Sequence, residues 1–131
     1  MDTLVANELY HIKCDEFKNR IYVKIMGFWK DLVAANEFVD HLKRSSTMIK
    51  NGFTVLVDLS EFKVPKPEVV AIIKASQKHL MDLGMAKSAE IVSESLFTDM
   101  AISQITKENE ITSDKRKKFK SLAEAEVWLD E

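Results

Sequence analysis

The run Phe53-Thr-Val-Leu-Val-Asp-Leu-Ser-Glu-Phe62 constrains the fold more than any other segment of the chain. A short, β-branched, almost wholly apolar stretch stops at an acidic residue, and a helical pattern follows within a few residues. A strand with one wet face would alternate apolar and polar residues. This one does not, so it reads as a strand buried on both faces, inside a mostly parallel, helix-covered sheet. At 131 residues the chain has the length of one domain, 1–131, able to bury roughly two-thirds of its unfolded surface. With 46% hydrophobic residues and only three Gly and two Pro, it has the material for a core and little for long linkers.

Around that strand the other elements fall into place. Leu9-Tyr-His-Ile-Lys-Cys14 and Arg20-Ile-Tyr-Val-Lys-Ile-Met26 alternate strand-favouring residues with polar ones, and 15–19 reads as a hairpin connection. The second strand ends at Gly27, followed by Phe28 and Trp29. From about Lys30 to Lys50, Leu32, Ala35, Val39, Leu42 and Ile49 recur at helical spacing. Asn51-Gly52 then stops the helix, because Gly takes the left-handed conformation without steric cost.

Beyond the central strand, Pro65 and Pro67 interrupt the chain, and Pro67 suits the first turn of a helix. The inward stripe of this helix is Val69, Ile73, Ser76, Leu80 and Leu83, and Gly84 closes it. Ser88–Ser93 carries a fainter strand pattern. Leu96–Lys107 is a shorter helix with Phe97, Met100, Ala101, Gln104 and Ile105 on one side. Part of Lys115–Phe119 forms a last short strand, its lysines discouraging edge pairing. Ser121-Leu-Ala-Glu124 has capping-box spacing and opens a final helix that buries Leu122, Ala125 and Leu129, with Trp128 alongside. The predicted architecture is α/β in the order ββαβαβαβα: four helices, a mostly parallel sheet and an antiparallel N-terminal strand.

This order resembles the STAS domain, the fold of bacterial anti-sigma-factor antagonists, and most of all its divergent SpoIIAA-like branch, which is also compared with lipid-binding Sec14 domains. The resemblance rests on the Arg20–Gly27 strand ending in Gly, on Val55-Leu-Val-Asp-Leu-Ser60, and on Phe119-Lys-Ser-Leu-Ala-Glu-Ala-Glu-Val-Trp-Leu129. It implies a regulatory or binding module, with a Sec14-like carrier or sensor of a lipid or other small apolar ligand as the alternative. In the antagonists the loop after the central strand presents a phosphorylatable serine. Here no Ser or Thr occurs from Glu61 to Ala75, so the resemblance does not extend to a phosphoserine switch.

Ligands of open α/β sheets gather outside the carboxyl ends of the parallel strands. That rule singles out Phe28 and Trp29, then Asp58, Ser60 and Phe62, as partner- or ligand-binding residues. Asp58 and Ser60 either position a polar ligand or satisfy the amides of their own loop. Phe28, Trp29 and Phe62 either form an exposed apolar anchor or seal the end of the sheet. Ser93 and Ser95 precede a helix whose free amides could contact an anion, and Ser95 also suits a plain N-cap.

Other chemistry has less to stand on. His11, His41 and His79 fall on separate elements without metal-site spacing, so no metal is expected. A Ser60–His79–Asp58 triad lacks a nucleophile elbow, and no catalytic residue is assigned. Cys14 reads as a buried, inert thiol, and Met81, Met85 and Met100 as fillers of core gaps. No cofactor is implied. Lys115, Arg116, Lys117, Lys118 and Lys120 gather positive charge on a chain of net charge −2, which reads as a solvated face or as an anion contact. No nucleic acid is expected as a partner. No apolar run has the length of a membrane span, and the N-terminus lacks signal-peptide features, so the expected location is cytoplasmic. The sequence therefore points to a non-enzymatic module whose partner is an unidentified protein or a small apolar ligand, with a homodimer left open.

Overall fold

The computed structural model describes residues 1–63 and 66–131; Pro65, read above as an interruption, lies outside them. The described residues form β1 (Asp2–Ala6), β2 (Tyr10–Asp15), β3 (Arg20–Ile25), α1 (Leu32–Ser46), β4 (Thr54–Asp58), α2 (Pro67–Asp82), β5 (Lys87–Ile91), α3 (Leu96–Glu108), β6 (Arg116–Phe119) and α4 (Leu122–Asp130). One mixed sheet holds all the strands in sequence order, β1-β2-β3-β4-β5-β6. The β1–β2 and β2–β3 pairs are antiparallel, and every pair from β3 to β6 is parallel. This is the expected α/β architecture with one strand more at its antiparallel end. β1 escaped the sequence reading because it is a largely exposed edge with a register shift between Thr3 and Val5, so its side chains do not alternate.

Strand order decides which face each helix covers. When parallel strands are laid down side by side in chain order, crossovers of one hand put every connecting helix on the same face. Accordingly α1 packs on α2, and α2 on α3. Beneath them lies the larger core, with Tyr10, Ile12, Ile21, Val23, Ile25 and Val55 meeting Ala35, Phe38, Leu42, Val69, Ile73 and Leu80. α4 follows the last strand, is not a crossover, and lies over β4–β6 on the opposite face. There Ala125, Trp128 and Leu129 meet Leu56, Ala89 and Ile91. Val55 and Leu56 are both buried, one in each core, which is why the run around them does not alternate. Burying a side chain such as Leu129 or Trp128 stabilises by about 1.5–3 kcal/mol.

Helix ends follow the sequence cues except at the close of α1, which stops at Ser46 with Thr47 as its cap, short of Asn51-Gly52. Asp31 Oδ1 accepts from Val33 N at 2.9 Å, and Pro67 stands in the first turn of α2. Ser121 Oγ accepts from Glu124 N at 3.2 Å, one half of the capping box. Gly84, at φ +98°, ends the α2 segment where a Cβ would fall on the Asn51 side chain, so its place needs glycine for both reasons.

Several helix faces differ from expectation. Leu32, Leu83 and Leu122 sit at helix ends and are exposed, because an end residue overhangs the sheet beneath. The largest difference is in α3. Phe97 (72% exposed) and Met100 (59%) face outward, so Met100 fills no core gap. Ile105 is buried as expected, and Thr98, Ile102 and Thr106 join it on the buried side. Beneath this helix Ser88 and Glu90 of β5 and Arg116 of β6 line a cavity together with Ile102 and Ile105.

Candidate functional site

At the carboxyl ends of the parallel strands the chain builds a rigid rim. Gly27, at φ +70°, turns out of β3, donates from its N–H to Glu61 O at 2.9 Å and accepts from Lys63 N at 2.9 Å. This bridge between Gly27 and Phe62 ties the loop after β3 to the loop after β4. Trp29 and Phe62 lie behind it, 0% and 1% exposed, their rings 5.8 Å apart and edge-on. Tyr10 and Phe38 also pack edge-on against Trp29, at 5.8 and 5.5 Å. The indole N–H donates to Met26 O at 3.1 Å. Trp29 and Phe62 thus seal the end of the core and present no surface to a partner. Of the rim aromatics named from sequence, Phe28 stands out in solvent, 49% exposed, with Lys66 Nζ 5.9 Å from its ring centre.

The polar rim residues are turned to local tasks. Asp58 Oδ1 accepts from Ser60 N at 3.0 Å and from Ser60 Oγ at 2.6 Å, closing the turn that leaves β4. Ser93 is buried; its Oγ donates to Phe62 O at 3.0 Å and accepts from Ser95 N at 3.1 Å. Ser95 caps α3 by accepting from Thr98 N at 3.3 Å. The rim's hydroxyls and carboxylate hold its loops together. The sheet order also removes the crevice that the strand-end rule invokes, since a sequential sheet has no point at which the strand order reverses.

Sequence reasoning missed two features. The first is an exposed apolar group at this same end of the molecule: Leu32 and Val33 in the first turn of α1, and Leu96, Phe97 and Met100 in the first turns of α3. The signal was available, since Leu96-Phe97 directly follows the cap residue, but the orientation of α3 depends on the strands beneath it. The second is a cavity of about 70 Å³ between the sheet and the three helices, lined by Val23, Phe38, Val57, Leu80, Ile102 and Ile105, among others, and by Ser88, Glu90 and Arg116. Glu90 is 4% exposed; its Oε1 accepts from Arg116 Nη2 at 2.6 Å. Its Oε2 meets no donor among the described residues. Burial holds the Glu90 carboxyl above its ordinary pKa, opposed by the Arg116 guanidinium beside it.

Of the basic run, Lys115, Lys117, Lys118 and Lys120 are exposed, in keeping with a solvated face, and Arg116 is half-buried. Arg116 pairs with Glu90, Lys118 Nζ lies 2.9 Å from Asp99, and Lys117 Nζ lies 5.7 Å from the centre of the Trp128 ring. Strand alternation sends these three to opposite faces. Tyr10 Oη lies 3.0 Å from His41 Nδ1, whereas His11, the next residue of β2, is on the opposite face of the sheet and His79 is on α2. No group of three or more His, Cys, Asp or Glu converges among the described residues. No helix among them is long and apolar enough to cross a membrane.

No protein-family model matches the chain. The curated proteins contain no significant match to it either.

Proposed function

We propose that the chain is a non-enzymatic, cytoplasmic, STAS-like binding module that engages a protein partner at the strand-end rim. The observation that carries this reading is the exposed apolar group at one end of the molecule, Phe28 with Leu32, Val33, Leu96, Phe97 and Met100. Large exposed apolar side chains at one end of a rigid support are the raw material of an interface core. Here the support is the Trp29 and Phe62 box together with the Gly27–Phe62 bridge. The Sec14-like alternative asks for an internal cavity of a few hundred Å³. The cavity beneath α1, α2 and α3 offers about 70 Å³, which favours the partner-binding reading over a lipid carrier there.

The test uses the full chain with the Phe28→Ser/Phe97→Ser double substitution. Both sites are exposed, so stability should stay within about 0.5 kcal/mol of wild type per site. A partner cross-linked to wild type from its native cytosol should be lost from the double variant. Sedimentation of the purified chain shows whether that partner is a second copy. Trp29→Ala is the contrasting control and should unfold the protein, at a cost of about 3–5 kcal/mol. Undiminished cross-linking by a folded double variant would overturn the proposal.

A further inference from the structure

The cavity beneath α1, α2 and α3 is polarised along the order of the strands. Its β3 and β4 side is apolar, with Val23, Ile25 and Val57, whereas its β5 and β6 side carries Ser88, Glu90 and Arg116. Glu90 and Arg116 cancel in charge, so an occupant needs none of its own. Glu90 Oε2 is a buried acceptor with no donor among the described residues, a state that is unfavourable while it goes unrelieved. An occupant that brings one donor relieves it. A cavity of about 150 Å³ is enough for benzene, so about 70 Å³ limits the occupant to a few heavy atoms. Leu42 and Ser76 line both this cavity and an open groove between α1 and α2, and so form the partition an occupant would cross.

We propose that this cavity is a binding site for a small neutral molecule with an apolar body and a single hydrogen-bond donor, the donor resting on Glu90 Oε2. A short-chain alcohol is the simplest member of the class. The site is independent of the rim, so the partner-binding reading can fail without touching it. It also differs from a lipid site in size and in its requirement for a donor.

The experiment is an NMR titration of the full-length protein with ethanol, and with chloroethane, which has the same length and no donor. Saturable shifts should appear at the amides of Ser88, Glu90 and Ile102 with ethanol. Its affinity should exceed that of chloroethane by about tenfold, the ratio that one hydrogen bond to a carboxylate supports. Glu90→Gln should reduce the preference while leaving chloroethane binding in place. Val57→Ile narrows the cavity by one methylene group, below the size of either probe, and should abolish both, so the question stays open to decision if Glu90→Gln fails to fold. Equal affinity for the two probes, or shifts that persist in Val57→Ile, would overturn the proposal. So would the absence of saturable shifts at these amides.

Discussion

α3 and α4 lie over opposite faces of the same strand, and β5 treats them differently. Its sequence, Lys87-Ser-Ala-Glu-Ile91, sends Ala89 and Ile91 toward α4 and Ser88 and Glu90 toward α3. On the α4 side the packing is apolar and the helix is clamped at its edge. Arg20, 2% exposed, donates to Glu126 Oε2 at 3.0 Å, to Asp130 Oδ1 at 2.8 Å and to Thr54 Oγ1 at 2.8 Å. On the α3 side a small serine and a paired carboxylate leave a cavity, and Thr98 Oγ1 and Ser103 Oγ, like Glu90 Oε2, lack partners among the described residues. Five residues of one strand thus specify a tight, apolar contact on one side and a loose, polar one on the other. Strand alternation is sufficient to separate the two. The loose side carries the proposed ligand cavity, and the same helix shows its apolar residues to solvent at the rim.

The comparison can be broken at its tight end first. Trp128→Ala removes the largest side chain that α4 buries and should destabilise by about 3–5 kcal/mol in urea unfolding. A cost below about 1 kcal/mol would mean that α4 is not anchored as described. At the loose end the sign reverses. Thr98→Val replaces a fully buried hydroxyl, without a partner among the described residues, by a methyl group, and should stabilise by about 1 kcal/mol. A loss of stability would show that the hydroxyl is satisfied in solution.

A pH series sharpens the same contrast. Burial raises the Glu90 pKa above its ordinary value of 4.5, so the native state holds that proton more tightly than the unfolded chain does. Its contribution is most favourable below pH 4.5 and is lost as pH rises through the raised native value. The stability of wild type minus that of Glu90→Gln should therefore fall with rising pH across that window. A difference that rises instead would show that the Arg116 pair outweighs burial. The smallest expected effect lies in the main core. Burial pushes the Cys14 thiol up to about 11, so alkylation at pH 8 should proceed at the rate of unfolding and no faster.

Much of the architecture was legible residue by residue. The non-alternating run at β4, the alternation in β2 and β3, the glycines after β3 and α2, and the Ser95 and Ser121 caps are local signals with local causes. They needed no knowledge of neighbours. The candidate site was less legible. Trp29 and Phe62 were readable as strand-end aromatics, but whether such residues seal or protrude depends on what the next loop places over them. The Gly27–Phe62 bridge places them inside. Phe97 and Met100 were readable on one side of α3, but which side meets the sheet depends on β5 and β6.

The sequence by itself determined the class of fold, the order and approximate bounds of its principal elements, and the alternation that assigns each strand residue to one of two faces. Those follow from backbone periodicity and turn chemistry, which act over a few residues. Tertiary structure alone decided which helix covers which face, that Trp29 and Phe62 are core, that Arg116 of the basic run pairs with Glu90, and that a cavity remains beside Glu90. Those depend on contacts between segments far apart in the chain, where the residue opposite settles whether a side chain is buried, paired or left exposed.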